Sequence, residues 1–394
     1  MTTNPATSSV TQSADQTFAG SVFIQGPGPW LDVRAFGAGD TPDDTLAIQA
    51  AINAVPDNGG TVFLPPGTYL VSAPLQLRKG LRLIGAGQQA SILRSNHTGD
   101  GLRMNSPLNA STAVNVLISD LGLTNTQGAA NTGGALVDIG GTFWRIERVS
   151  VTGFGYGVIL DQTELADVVA SQFNQQSLAC VWLVNGEDHL GAGSGVKGGF
   201  TNRISVQNCQ LNPNPTGTGL VDDGGTTHYF QGNNFNGGTH NIRLAGLDVC
   251  WISNNELESA SSDGIHVTFR SSVLDAGAGP CVNVTFQANV IAVPGQGRHC
   301  ILLESASPVL STGNLYASSG AAMAGVASCF ALTSISDFVS TPAPLTDGRA
   351  VNQLVLGSPN HGTPTVTGST AGNTALASLL TALADTGLII NQTT

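Results

Sequence analysis

A short pattern recurs along the chain from residue 134 onward and limits the folds that the chain can adopt. Each instance is a glycine or polar residue followed by an apolar strand, and the instances begin at residues 134, 157, 179, 219, 241, 264 and 299. Most intervals are about 22 residues, and each repeat contains a second apolar segment after a turn rich in glycine or asparagine. Repeats of this kind predict an all-β solenoid, in which parallel strands stack coil upon coil.

Asparagine recurs close to the end of the second strand of many coils. Asparagine tolerates the left-handed backbone conformation of tight turns, and its amide can form ladders between stacked strands. We therefore expect these residues both to turn the chain and to link successive coils. They are Asn208, Asn233, Asn254, Asn289 and Asn314.

Composition excludes several classes of protein. The 394-residue chain is 10% charged and has a net charge of −12 with only two lysines, so it lacks the basic surface of a nucleic-acid-binding protein. No apolar run approaches the roughly 18 residues of a membrane span, and the first residues do not resemble a signal peptide. The cysteines are well separated, so we expect core residues and neither a metal site nor a cofactor. They are Cys180, Cys209, Cys250, Cys281, Cys300 and Cys329.

One segment near the N-terminus has the pattern of an α-helix. Residues 43–55 read DDTLAIQAAINAV, and either Thr41 or Asp43 can cap the first turn. Because the first coil of a solenoid exposes unpaired strand edges, we expect this helix to cover them. Its apolar face is predicted to consist of Leu46, Ile48, Ala51, Ile52 and Val55.

Residues 31–87 resemble a known family. They begin LDVRAFGAGDTPDDTLAIQAAINAVPDNGGTVFLPPGTYLV, which is similar to the N-terminal segment of the pectate-lyase-like right-handed β-helix superfamily. Phage tailspike depolymerases, pectin-active enzymes and alginate epimerases share this segment. The family's usual GDG is replaced here by Gly39-Asp40-Thr41, a departure within a capping turn. The resemblance implies a right-handed parallel β-helix and leaves the chemistry open, because function lies in sites grafted on a fold.

The two ends of the chain resemble the ends of phage tail proteins. Residues 374–394 resemble a helical tail with a leucine stripe, which Gly387 would end. The expected organisation is a lead-in over residues 1–30, the parallel β-helix over 31–330 and a C-terminal extension over 331–394. The resemblance implies a homotrimer that associates through this extension and attaches to a phage tail or baseplate through its N-terminus. Secretion by a non-classical route is the alternative to this location on the virion.

Two coils are longer than the others and predict a groove. Their extra residues, 185–201 and 270–280, fall between the first and the second strand of a coil. Insertions at one place in a solenoid project from one side and often build the wall of a binding site. We therefore expect a groove whose floor is formed by the coils that begin at residues 219 and 241.

Alternation of side chains along a strand separates interior from surface. In the second strands it places Tyr229 and Trp251 outward and one coil apart, where an aromatic pair can stack on sugar rings or contact another subunit. Trp182 and His228 fall inward and are expected in the core. The first strands are predicted to direct a polar set outward: Asp138, Asp161, Asp223, Arg243, His266 and Thr268.

Acidic residues concentrate beside the first insertion. Glycoside hydrolysis needs two carboxyl groups, one as acid and one as base or nucleophile. Asp222 and Asp223 are the first candidates, with Glu187 as their partner and with Asp161 and Asp167 as a reserve pair. β-Elimination or epimerisation would instead need a base and a donor that stabilises the developing charge. The candidates for substrate binding, some of which would also serve that chemistry, are Tyr229, Trp251, Arg243, His266, Arg270, Lys197 and His189.

Together with the resemblance, these residues predict a tailspike-type depolymerase of a bacterial capsular polysaccharide or exopolysaccharide. Hydrolysis by paired carboxylates is favoured. A polysaccharide lyase or uronate epimerase on the same fold is one alternative. A non-catalytic, glycan-binding structural spike is the other, and its carboxylates would only keep a weakly charged surface soluble.

Overall fold

The computed structural model describes residues 30–40, 42–105, 112–184, 201–268 and 279–293, together with shorter stretches that follow. These stretches are 299–304, 306, 308–318, 324–326, 332–335, 337–339, 365–368, 377–378, 380–381 and 390–393. Each coil pairs in parallel with the coils before and after it. The chain therefore forms the right-handed parallel β-helix that the repeat and the resemblance predict.

The coils stack into three faces. The first face is a ten-stranded sheet of Leu75–Gln76, Leu102–Asn105, Gly134–Ile139, Tyr156–Asp161, Ala179–Val184, Thr218–Asp222, His240–Ala245, Ile265–Thr268, Ile301–Leu303 and Ala324–Val326. Two long strands, Thr112–Asn125 and Gly141–Thr152, run through both the second and the third face. The second face adds Trp30–Asp32, Gly60–Leu64, Leu81–Gly85, Glu164–Val169, Thr201–Gln207, Gly225–Gln231, Asp248–Ser253, Val282–Gln287, Val309–Thr312 and Leu332–Ile335. The third face adds Gly67–Val71, Ser91–Ser95, Gln172–Asn174, Gln210–Asn212, Asn234–Asn236, Glu256–Glu258, Val290–Val293, Leu315–Ser318 and Phe338–Val339.

Apolar side chains fill the interior of the β-helix along its length. On the first face, Leu136, Val158 and Val181 lie side by side on neighbouring strands and are completely buried. The cysteines contribute to this core as expected, since all five described ones are buried free thiols. The sixth, Cys329, lies outside the described residues.

A helix over Thr45–Asn53 closes the N-terminal end of the core. The Asp43 carboxylate accepts a hydrogen bond of 2.9 Å from the Thr45 N–H, in agreement with its predicted capping role. The expected apolar face is buried except at Leu46, whose side chain is 85% exposed. Leu46 precedes the buried Ile48 by two positions, which places it on the opposite side of the helix.

Buried asparagines link the coils where the second face turns into the third. Each amide donates to the side-chain oxygen of the next member at 2.9–3.1 Å. Asn208 and Asn254 are not members, because they occupy the left-handed turn positions with φ of 54° and 55°. Turning the chain and linking the coils are therefore tasks of different residues, and Asn255 takes the place expected for Asn254. The ladder runs through Asn233, Asn255, Asn289 and Asn314 and ends at Asp337.

The described residues of the C-terminal extension include both helix and strand. Residues 377–378 and 380–381 are helical, within the segment whose leucine stripe predicts a helix. Beyond Gly387, where the helix was predicted to end, Ile390–Thr393 forms a strand that pairs in parallel with Thr365–Gly368. No helix in the described part of the chain is long and apolar enough to cross a membrane.

Candidate functional site

The outward side of the first face carries a row of aromatic, charged and imidazole side chains. The row begins with two apolar residues, Val137 and Ile159, which are buried. From Trp182 onward its polar members are partly exposed. In order along the helix axis the row contains Val137, Ile159, Trp182, Val221, Arg243, His266 and Leu302. This partly exposed stretch is the candidate site.

Asp223 joins an aromatic pair to a guanidinium group. Its carboxylate accepts hydrogen bonds of 2.8 Å from Trp182 Nε1 and of 2.8 Å from Arg243 Nη2. The Trp182 ring stacks on Tyr156, with ring centroids 4.7 Å apart and planes inclined by 17°. Burial, together with the charge of Asp223, raises the pKa of Tyr156. The arrangement holds a flat apolar surface next to a fixed pair of charges.

Arg243 retains hydrogen-bond donors that a ligand can use. Its side chain is 42% exposed and contacts Asp223 through Nη2 only. Its Nε is buried and has no hydrogen-bond partner among the residues that the structure describes, so the donors that a ligand can reach lie at the exposed end of the guanidinium. Because a guanidinium presents five N–H donors in a planar fork that matches carboxylates, Arg243 can bind an anionic group while it stays bound to Asp223.

His240 has the geometry of a neutral base. Its Nδ1 lies 3.1 Å from the main-chain carbonyl oxygen of Asp263, so Nδ1 carries the proton and Nε2 has the lone pair. Burial lowers the pKa of His240, and the positive charge of Arg243 acts in the same direction. The ring centroids of His240 and His266 are 5.1 Å apart. A histidine held neutral in this way can accept a proton near neutral pH.

The carboxylates of Glu304 and Asp263 each lie next to a histidine ring in this region. Oε2 of Glu304 lies 2.9 Å from Nε2 of His266. Asp263 accepts hydrogen bonds from the main-chain N–H and from Nδ1 of His299, at 2.8 and 3.0 Å. Burial raises the pKa of Asp263, but these hydrogen bonds outweigh it and leave the pKa below its ordinary value. Across the described ranges, no three His, Cys, Asp or Glu side chains form a group that could hold a metal ion.

Of the five carboxylates predicted to be catalytic, the four that the structure describes do not form one site. Asp222 is completely buried inside the β-helix, so its placement on a groove floor is wrong. Asp223 faces outward as predicted, because consecutive residues of a strand alternate. Asp161 lies in an outward row but is covered, and Asp167 lies on the second face. Glu187 lies outside the described residues.

The buried Asp222 side chain has a partner in the interior. Its Oδ2 lies 2.7 Å from Nδ1 of His228, which faces inward as predicted. Nε2 of His228 lies 3.3 Å from the carbonyl oxygen of Thr201. Both side chains are inaccessible to solvent, which excludes contact with a polymer bound at the surface. The pair therefore has a structural role where the first face turns into the second.

The residues predicted to bind sugar lie on two faces rather than in one groove. Arg243 and His266 are on the first face, in the row described above. Tyr229 and Trp251 are outward and one coil apart as predicted, with ring centroids 4.9 Å apart and planes inclined by 5°, but they lie on the second face. The remaining candidates are outside the described residues: Arg270, Lys197 and His189.

Alternation failed at the beginning of a first-face strand. The Asn241 amide turns inward and donates to the main-chain oxygens of Gly237 and Glu258, at 3.3 and 3.0 Å. The preceding His240 is therefore partly exposed, although the regular alternation of a strand would direct it inward. Tyr156 occupies the equivalent position three strands earlier and was missed for the same reason.

Two first-face residues take the side opposite to the predicted one. Trp182 faces outward because Val181 and Leu183 fill the inward positions of its strand. Asp138 faces inward, in the row of Leu160, and burial raises its pKa to about 7. A shift of one residue in the assumed register reverses every side chain of a strand, which explains both errors.

Comparison with known proteins supports the fold over different lengths of the chain. Residues 30–138 match the family described as Rhamnogalacturonase A/epimerase, pectate lyase-like. Over 73 residues the chain is 47% identical to mannuronan C5-epimerase AlgE6 of Azotobacter vinelandii. That alignment covers 16% of this chain and only 8% of the epimerase, so it spans a small part of that relative.

Two solved structures resemble nearly the whole β-helix. The surface adhesin PfbA of Streptococcus pneumoniae has a TM-score of 0.63 and 14% identity, with 86% of this chain and 85% of that chain covered. A tailspike protein of the Escherichia coli bacteriophage HK620, solved in complex with a pentasaccharide, has a TM-score of 0.60 and 13% identity. The latter match covers 80% of this chain and 64% of that chain. The resemblance to the pectate-lyase-like β-helix superfamily is thereby confirmed for the fold.

Proposed function

We propose that the chain is a polysaccharide-acting enzyme whose site is the partly exposed stretch of the first face. The observation that carries the proposal is the imidazole of His240, whose Nδ1 is held by a main-chain oxygen, in the same strand as the partly exposed guanidinium of Arg243. His240 and Arg243 are three residues apart in one strand. A proton acceptor and a cationic donor at this spacing suit the removal of a proton next to a carboxylate.

The chemistry supported best is β-elimination at a uronate, which cleaves the polymer. Nε2 of His240 takes the proton beside the carboxylate, the released electron pair forms a carbon–carbon double bond, and the glycosidic C–O bond breaks. Arg243 binds the carboxylate and stabilises the charge that develops on it. His266, whose ring centroid lies 5.1 Å from that of His240, is the candidate that returns a proton to the leaving oxygen. Return of a proton to the carbon instead would give epimerisation with the same residues.

The aromatic pair supplies a place for a neighbouring sugar. Trp182 and Arg243 lie two strands apart in one row, or roughly 10 Å by the usual strand spacing. Apolar sugar faces stack well on the rings of Tyr156 and Trp182. A chain bound along the helix axis would therefore contact the aromatic pair with one residue and present another to Arg243.

Hydrolysis by paired carboxylates is the second candidate, because Asp223 and Glu304 both lie on this surface. They follow strands that are three positions apart, which separates their backbones by roughly 14 Å. Glycosidases hold the two carboxyl groups about 5 to 9.5 Å apart. Hydrolysis would thus need an acid from the 185–200 insertion, such as Glu187, to complete the pair with Asp223.

The test is incubation with purified capsular polysaccharides and exopolysaccharides, including uronate-containing ones. Three signals are followed: new reducing ends, ultraviolet absorbance of an unsaturated product, and exchange of the carbon-bound proton with deuterium by NMR. Reducing ends with absorbance indicate elimination, and reducing ends alone indicate hydrolysis. Exchange without cleavage indicates epimerisation.

Substitution of the base gives the decisive measurement. His240→Gln should lower turnover by about 10²-fold or more, the usual loss when general base catalysis is removed. Wild-type activity should also fall as the pH drops through the lowered pKa of His240, because only the neutral ring accepts a proton. His97→Gln, in a partly exposed loop after the third-face strand Ser91–Ser95, is the matched control. Full turnover in His240→Gln would exclude this site.

We also propose that the enzyme is a homotrimer on a phage tail, attached through its N-terminus. The likeness to the HK620 tailspike supports this setting. The likeness to PfbA supports a glycan-binding adhesin as the rival. Light scattering should give a mass three times that of one chain, and binding without any of the three product signals would favour the adhesin.

A further inference from the structure

The outward side of the second face carries a surface that the proposed chemistry does not use. The stacked rings of Tyr229 and Trp251 run along the helix axis, and the next strand presents Thr285 at the same level. The strand after that presents Leu310, which is 37% exposed. We propose that the slot between Trp251 and Leu310, with Thr285 as its floor, binds one uncharged sugar ring of a glycan.

The dimensions of the slot fit a single ring. Its walls stand on strands two positions apart, so they are separated by roughly 10 Å. Van der Waals contact takes up about 3.5 to 4.0 Å on each side. Because the Thr285 side chain is short, it leaves uncovered the outer part of the Trp251 ring face that is directed toward Leu310. One pyranose ring can therefore lie between the indole and the leucine, and two cannot.

Polar groups stand at both ends of the slot floor. Asn283 and Gln287 are exposed on the strand of Thr285, because the residues between them, Val284 and Phe286, fill the core. The Asn283 Nδ2 donates to Asp248 Oδ1 at 3.1 Å, which leaves its own Oδ1 to accept. Apolar walls with amides at the ends match a sugar, which has apolar faces and a rim of hydroxyl groups.

The surface beside the slot favours a neutral glycan over a second protein chain. The neighbouring outward row is polar and uncharged along five coils. Protein interfaces have an apolar centre that excludes water, and this row does not supply one. The slot also lacks a counterpart of Arg243, so it does not select anionic sugars. The row consists of Gln207, Gln231, Ser253, Gln287 and Thr312.

The test compares binding of dextran, mannan, arabinogalactan and neutral capsular polysaccharides by affinity electrophoresis of the full chain. The wild type should bind at least one of them. Thr285→Tyr fills the slot and Trp251→Ala removes one wall, and each should weaken that binding about tenfold or more. Leu117→Tyr, six strands away in the same row and roughly 29 Å from Thr285, is the control and should bind as the wild type does.

Failure of the slot can be told from failure of the first-face chemistry. Thr285→Tyr should retain turnover of short oligosaccharides, whereas His240→Gln should retain binding of the neutral polymer. The proposal is overturned if the wild type binds none of these glycans, or if Thr285→Tyr binds them equally well. It is also overturned if sedimentation shows that Thr285→Tyr separates an oligomer into single chains, because the surface is then a contact between copies.

Discussion

Asp222 and Asp223 are adjacent in the chain but face opposite sides of the wall, so the same substitution should have opposite consequences at the two positions. Asp222 lies 2.7 Å from Nδ1 of His228, and neither side chain is accessible to solvent. Nε2 of the same ring is directed at the Thr201 carbonyl oxygen, at 3.3 Å. Asp222 is therefore the buried partner of Nδ1 of His228 inside the core.

The expected magnitudes follow from this difference in burial. Leaving a buried hydrogen-bonding group without its full partner costs about 1–3 kcal/mol, and more where the groups are ionisable. Asparagine keeps the shape of the side chain and one hydrogen bond, so Asp222→Asn should lower the free energy of unfolding by about 3 kcal/mol. The Asp223 pair with Arg243 is half exposed, and such pairs contribute about 1 kcal/mol or less. Asp223→Asn should therefore be nearly as stable as the wild type.

Urea unfolding followed by far-ultraviolet circular dichroism, at one fixed protein concentration, measures the stabilities. Turnover is measured at a temperature at which both variants remain folded. Asp222→Asn should keep turnover within a few-fold of the wild type. Asp223→Asn should lose at least about tenfold, because an amide has one acceptor oxygen where Trp182 and Arg243 each use one oxygen of the carboxylate. Equal losses of stability in the two variants, or an unaltered Asp222→Asn, would refute the assignment of the two sides.

Two further predictions concern the interior. Burial raises the pKa of Asp138 to about 7, so the folded chain binds an extra proton between roughly pH 4 and 7 and loses stability as the pH rises through that window. Asp138→Asn should remove this dependence, and the decrease in unfolding free energy from pH 5 to 8 should shrink by about 2–3 kcal/mol. Asn289→Ala should destabilise the chain by about 3 kcal/mol, because it leaves buried ladder partners unpaired. The exposed Asn236→Ala is its control in the same unfolding assay, and an equal effect of both would contradict the role of the ladder.

The repeat and the helix could be predicted because they depend on patterns that many residues share. A coil length of about 22 residues survives errors at single positions, and Ile48, Ala51 and Ile52 are buried as their spacing requires. The aromatic pair on the second face was predicted for the same reason, since Phe230 and Ile252 fix the alternation around it.

The composition of the first-face site could not be predicted, because it depends on departures from the repeat. Glu304 meets His266 from just beyond the end of the paired strand Ile301–Leu303, where the strand repeat assigns no side-chain direction. His240 is partly exposed because the neighbouring Asn241 amide is used to hold two main-chain oxygens. The sequence also predicted a single groove from residues of the first and the second strand of the same coil. The turn after Asp223 places these two strands on different faces.

The side-chain bonds of the asparagine ladder have a direction, since every amide donates to the side-chain oxygen of the next coil toward the C-terminus and gives its other N–H to a main-chain oxygen of the preceding coil. Each internal coil accepts from the coil before it and donates to the coil after it, so such coils are equivalent as building blocks. Duplication or loss of a whole coil between Asn233 and Asn314 would leave every amide paired. Asp337 differs, because its side chain accepts from Asn314 but has no amide N–H to pass on. The number of coils in the β-helix can thus change during evolution, whereas the ladder always ends at one residue, Asp337.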